Sequence, residues 1–252
     1  MALLDISLFS DTLQLDVSAT VIYPQRCDRS PDIPGGPYKV LYLLHGIKQN
    51  EQSYVRNSAI ERYVRNLPLV VVMPSVGRSF YTDQERGYPY FTFLSEELPR
   101  FLSSVFTIST KREDTFIAGL SMGGYGAFKA ALTRPDLYSR AASMSGALDL
   151  VSLANTLGDS VKIFPYEWEN TFGSYEVKGS EHDLMALSRK ELSPKPSFYV
   201  TCGDEDALLQ DNLRFVETLK ETHDVIYDQH PGGHTWKFWD KALKRVLRWL
   251  PL

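Results

Sequence analysis

A chain of 252 residues that is 43% hydrophobic and 12% aromatic can bury a sizeable core, which excludes disorder as its main state. Its 27 Lys and Arg against 31 Asp and Glu leave a net charge of −4 and no global positive field, so no nucleic-acid partner is expected. Two cysteines, Cys27 and Cys202, make no disulfide framework, although a single bridge between them stays open.

Residues 1–8 lack a basic n-region and carry Asp5 within the apolar stretch, so they do not read as a signal peptide. The best uncharged apolar run, 67–73, is strand-sized and contains Pro68, far short of a membrane span. A soluble, cytoplasmic protein without membrane insertion is the expectation. Residues 13–22 alternate apolar with polar or small side chains, as a half-exposed strand does. The continuous apolar runs 40–44 and 69–73 suit strands covered on both faces of a parallel sheet. Further strands are predicted at 115–118, 141–145, 197–202 and 225–229, and helices at 52–65, 93–105, 123–132, 207–222 and 236–249. Strands alternating with helices predict an α/β chain with a mostly parallel sheet and helices on both faces. No composition break or repeat marks a linker, so residues 1–252 are expected to form one domain. The stretch 148–193 fits the rhythm badly, being long, polar and scattered with Phe164, Tyr166, Trp168, Phe172 and Tyr175. It reads as an insertion over one face of the sheet, either a lid or a surface excursion with its own small cluster.

The strongest local signal is Gly119-Leu120-Ser121-Met122-Gly123, placed between a predicted strand and a predicted helix. Such a turn strains the central residue and thrusts its hydroxyl above the sheet edge, at a helix N-terminus that favours negative charge. A serine needs a base to become a nucleophile at neutral pH. In this type of fold the order is serine, acid, histidine, each on a loop at the carboxyl end of a strand. His45 precedes the serine and reads as a structural hydrogen-bonder. His182 falls in the insertion, and His223 opens a strand at the wrong end of the sheet. His230 and His234 both follow the last strand; His234, after Gly232-Gly233 and before the final helix, is the favoured base. The orienting acid comes from the loop after the preceding strand, where Asp206 is preferred over Asp204 because Leu208 and Leu209 can bury its base. The oxyanion hole needs two backbone donors, assigned to the N–H groups of Met122 and of Ile47, after the turn at Gly46. No His-x-His or His-Glu-x-x-His cluster occurs, and Glu181-His182-Asp183 reads as a solvated surface run, so no metal is expected.

Leu-Leu-His-Gly at 43–46, Phe-Ile-Ala-Gly-Leu-Ser-Met-Gly-Gly-Tyr-Gly at 116–126, Cys-Gly-x-x-Asp at 202–206 and Gly-Gly-His-x-Trp at 232–236 resemble the tributyrin-esterase members of the esterase D family. Tyr81-Thr82-Asp83 and Ser145-Gly146-Ala147-Leu148 extend the resemblance over nearly the whole chain. It implies an α/β-hydrolase fold, with Ser121, Asp206 and His234 as nucleophile, acid and base. It also implies carboxylesterase activity on small, short-chain acyl esters without metal or cofactor, and homo-oligomers. Lys48 and Ala207 depart from the family pattern, where a small residue and a bulkier aromatic are expected, which bears on pocket shape. Thioester hydrolysis, such as that of S-formylglutathione, and acyl transfer use the same groups. A reading from another class is a catalytically silent binding scaffold of the same fold.

Overall fold

The apolar runs at 40–44 and 69–73 become adjacent parallel strands at the centre of the sheet. The structure is a computed structural model and describes residues 1–27, 31–156, 165–173 and 176–252. Among the described residues, β1 (Ala2–Ser10), β2 (Leu15–Tyr23), β3 (Lys39–Leu44), β4 (Leu69–Pro74), β5 (Thr115–Leu120), β6 (Arg140–Met144), β7 (Ser197–Gly203) and β8 (Val225–His230) form one sheet. Its order is β1-β2-β4-β3-β5-β6-β7-β8. The pairs β1–β2 and β2–β4 are antiparallel, and the rest are parallel. This mostly parallel sheet, covered by helices on both faces, is the α/β-hydrolase architecture.

Successive side chains on a strand point to opposite faces, and here both faces are covered. Val40, Tyr42, Val70 and Ile117 pack with Tyr125 and Phe128 of α5 (Met122–Thr133) and with Phe215 of α9 (Leu209–Lys220). Leu41, Leu43, Val71 and Phe116 pack on the opposite face, against α1 (Ser53–Asn57), α2 (Ile60–Val64) and α10 (Trp236–Trp249). In α10 the buried residues Phe238, Trp239, Ala242, Leu243, Val246 and Leu247 form one helical stripe. That pattern is why its bounds match the sequence expectation.

Three expectations change. The predicted strand at 13–22 is the second arm of a hairpin whose first arm, β1, lies at the sheet edge with Leu3, Leu4 and Phe9 exposed. An edge strand wet on much of its surface lacks the alternation that marks a half-buried one. The predicted helix 52–65 is split into α1 and α2, because Ser58 turns to an extended conformation. The Ala59 N–H then donates to Asp240 Oδ1 at 2.8 Å. The predicted helix 93–105 starts earlier, running from α3 (Tyr90–Thr92) through a π-helical segment at Phe93–Glu97 into α4 (Leu98–Val105).

The insertion between β6 and β7 holds α6 (Leu150–Thr156), α7 (Pro165–Phe172) and α8 (Leu184–Leu187). Phe164 and Tyr175, two of its predicted aromatics, lie outside the described residues. Helix α7 is fastened to the loop after β4 by Arg78–Glu167 and Arg86–Glu169 ion pairs, both at 2.6 Å. A hydrogen bond from Gln84 Nε2 to Thr171 Oγ1 at 2.9 Å adds to them. The Phe172 ring packs 5.3 Å from that of Phe80, and Trp168 stands 6.2 Å from the same ring. Among the described residues no helix is long and apolar enough to cross a membrane.

Candidate active site

Because β3, β5, β7 and β8 run parallel, their carboxyl ends open on one edge, where α/β sheets place their sites. Residues 45–47, 121, 203–206 and 230–234 meet there. Ser121 directly follows β5 with φ 53° and ψ −118°, a sparsely populated conformation for a residue with a side chain. Helix α5 starts at the next residue, Met122. The flanking glycines are a packing requirement. A Cβ on Gly119 would lie 2.2 Å from Gly123 O, and one on Gly123 would lie 2.2 Å from Leu44 O, both backbone atoms with little freedom to move. Gly123→Ala should therefore cost on the order of 3 kcal/mol. An unchanged denaturation midpoint in urea would contradict this account of the turn.

Ser121 Oγ lies 3.0 Å from His234 Nε2. The other ring nitrogen, Nδ1, is 3.0 Å from Asp206 Oδ2 and 3.2 Å from Oδ1. With the proton on Nδ1, His234 donates to the carboxylate and accepts from the serine hydroxyl. Trp239 meets the imidazole edge-on, with ring centres 4.8 Å apart, and so limits its rotation. Asp206 is 5% exposed. Burial pushes its carboxyl pKa up, but hydrogen bonding and charge at His234, together with the Leu208 N–H, outweigh it and leave the acid below its ordinary range.

The competing residues are engaged elsewhere. Asp204 Oδ1 accepts from the Gly232 N–H at 3.0 Å, and its own N–H donates to His230 O, so it braces the loop that carries His234. His230 ends β8 with Nε2 2.7 Å from Asp228 Oδ1. His223 is buried beside Thr222. His45 is buried, donating from Nδ1 to Gly46 O at 2.8 Å and accepting the Val76 N–H on Nε2 at 3.3 Å. Both cysteines are free thiols, and burial pushes Cys202 up to about 12.

Ser121, Met122 and Ile47 all line a cavity of about 300 Å³. Phe80, Ala147, Leu153, Ala207 and Leu208 complete its apolar wall, and His234 also lines it. Two supporting residues, Phe80 and Lys129, were not marked by the sequence, and Tyr81 was marked only as part of the family resemblance. Phe80 and Tyr81 both adopt φ 52°, and the Tyr81 hydroxyl donates to His45 O at 3.0 Å, bracing the loop that leads to Ile47. Lys129 is buried on α5, and no local pattern distinguishes it from a surface lysine. The predicted solvated run is corrected. Glu181 is exposed, but Asp183 is buried and caps α8 through the Met185 N–H, while His182 is half-buried with Nδ1 3.0 Å from Lys129 Nζ.

Comparison with known proteins gives the family of the chain. The chain matches the Esterase family over residues 10–250. It is 33% identical over 269 aligned residues to an acetyl esterase of Caldicellulosiruptor saccharolyticus, covering 99% of this chain and 98% of that protein. Among solved structures, the fluorophosphonate-binding serine hydrolase FphF of Staphylococcus aureus is 35% identical with a TM-score of 0.86, covering 99% of this chain and 98% of that one. The S-formylglutathione hydrolase FrmB of Staphylococcus aureus is 33% identical with a TM-score of 0.86 and the same coverage. The chain belongs to the Esterase family, and it is related to serine hydrolases and esterases.

Proposed function

We propose that this chain is a serine carboxylesterase that hydrolyses short-chain acyl esters through an acyl-enzyme. The observation that carries the proposal is the unbroken line from Asp206 through His234 to Ser121 Oγ, ending at an apolar cavity of about 300 Å³. His234 takes the Ser121 proton as Oγ attacks the ester carbonyl, and the N–H groups of Met122 and Ile47 receive the oxyanion. His234 then gives the proton to the departing alcohol. Water, deprotonated by the same imidazole, attacks the acyl-enzyme, and the acid leaves with Ser121 restored. The acyl group lies against Phe80, Leu153 and Leu208, a wall that offers it no charged partner.

Within the family we place the chain beside the tributyrin-esterase members of the esterase D group. One domain over 1–252, with 148–193 as its cap, and a cytoplasmic homo-oligomer acting on small esters complete the proposal. Thioester hydrolysis is the second reading, favoured by the likeness to the S-formylglutathione hydrolase.

A panel of p-nitrophenyl esters of increasing acyl length, run beside S-formylglutathione, tests the proposal. The highest kcat/KM should fall on a short acyl ester; the highest value on the thioester would select the second reading. Turnover should survive EDTA and be lost on treatment with a fluorophosphonate, with the adduct on Ser121 by peptide mass spectrometry. Loss in EDTA that a divalent cation restores, or an adduct elsewhere, would refute the mechanism. Absence of turnover on every ester and thioester would leave the binding-scaffold reading.

A further inference from the structure

Lys129 lies two turns beyond Ser121 on α5 and is only 4% exposed. Cations are almost never so deeply buried without a partner. The partners here are neutral: Nζ donates to Thr82 Oγ1 at 2.9 Å and to His182 Nδ1 at 3.0 Å, and lies 5.5 Å from the centre of the Phe91 ring. Burial, followed by the neighbouring ammonium, pushes His182 down to about 4, so its imidazole is neutral and can accept at neutral pH. Burial likewise pushes Lys129 down to about 8, while Glu181 and Asp83 act in the opposite direction. Holding a cation this way is unfavourable in itself, so its use is to be sought in what it holds.

The Lys129–Thr82 bond reaches the reaction site in two steps. The Thr82 hydroxyl donates onward to Phe80 O at 3.1 Å, and the Thr82 N–H donates to Ser79 O at 3.1 Å, closing a tight turn around Phe80 and Tyr81. Those two residues have left-handed backbones, a costly conformation for consecutive aromatic residues unless surrounding bonds enforce it. Phe80 is a wall of the acyl cavity. The Tyr81 hydroxyl holds the His45 carbonyl, two residues before the N–H assigned to the oxyanion. We infer that Lys129 is a positioning residue: through Thr82 its ammonium fastens the strained Phe80–Tyr81 turn to the nucleophile helix and thereby fixes the loop at Ile47. The inference rests on the proposed role of the Ile47 N–H. It makes the second oxyanion donor depend on a bond well below the sheet edge.

Lys129→Met keeps most of the side-chain length and removes the ammonium, Thr82→Val removes its acceptor, and the double variant closes a cycle. On p-nitrophenyl acetate at pH 7, each single variant should lower kcat by about 10- to 100-fold, less than outright removal of an oxyanion donor. KM should stay within about threefold, because the oxyanion exists only in the transition state. The double variant should lose no more than Thr82→Val alone, since on this inference Lys129 acts on the turn only through the Thr82 hydroxyl, which Thr82→Val already removes. Melting temperature, read in parallel, should move little; a merely structural lysine would lower it and leave kcat per folded molecule unchanged. Single variants with kcat within twofold of the parent, or losses that multiply in the double variant, overturn the inference. If Lys129→Met does not fold, Lys129→Gln decides by the same kcat criterion, because Thr82→Val also removes the hydroxyl's own bond to Phe80 O. Ser121→Ala, run beside them, separates the two claims. Turnover retained in Ser121→Ala defeats the triad reading, whereas its loss with unchanged kcat in the Lys129 and Thr82 variants defeats only the positioning role.

Discussion

Ser121→Ala should reduce kcat on any ester substrate by on the order of 10⁵ to 10⁶, the scale seen when a triad nucleophile is removed. The His234 imidazole would remain oriented by Asp206, but it would have no hydroxyl to deprotonate 3.0 Å away. The fold should survive, because alanine and serine carry the same Cβ into the same backbone conformation. Ser121→Gly should be equally inactive yet more stable than the parent, by about 1 kcal/mol, since glycine tolerates φ 53° and ψ −118° without strain. Activity and urea denaturation of the two variants separate the hydroxyl from the turn that presents it. Residual turnover within tenfold of the parent in the alanine variant would move the nucleophile elsewhere. A glycine variant no more stable than the parent would remove strain from the description of this turn.

The sequence was legible where burial and period coincide. Strands β3 and β4 are covered on both faces, so nearly every residue is apolar, and α10 buries one stripe, so its period shows. The residues that meet at the sheet edge were also readable, because Ser121, Asp206 and His234 each follow a strand whose carboxyl end points the same way. What was not readable depends on tertiary partners. Strand β1 carries exposed apolar residues on an edge, which no pattern separates from a loop. The break at Ser58 and Ala59 is tied down by Asp240, 181 residues further along the chain. Burial of Lys129 depends on Thr82 and on His182, contributed by two other segments, and nothing near residue 129 announces either. The sequence reading of His182 as solvated failed for the same reason, its burial being imposed by α5 and by Phe172.

Asp206→Asn should lower kcat by roughly 10⁴ while the fold remains intact, because an amide can donate to Nδ1 and stabilise the tautomer with its proton on the wrong nitrogen. His234 Nε2 would then carry a hydrogen toward Ser121 in place of the lone pair that must accept one. Asp204→Asn should cost only a few-fold, because the amide oxygen can still accept the Gly232 N–H that Asp204 Oδ1 now holds at 3.0 Å. Stability measurements give an independent check. The Asp206 carboxyl binds its proton less tightly in the folded chain than when unfolded, so it contributes stability above the ordinary carboxylate pKa of about 4. That contribution is lost as pH falls through the lower folded value. The parent should therefore exceed Asp206→Asn in unfolding free energy at pH 7, and the difference should shrink as pH drops below about 4. A difference that stays constant with pH would mean that the carboxylate charge is not what the imidazole stabilises. A larger loss of kcat from Asp204→Asn than from Asp206→Asn would transfer the acid to Asp204 and leave Asp206 as a buried cap for the Leu208 N–H.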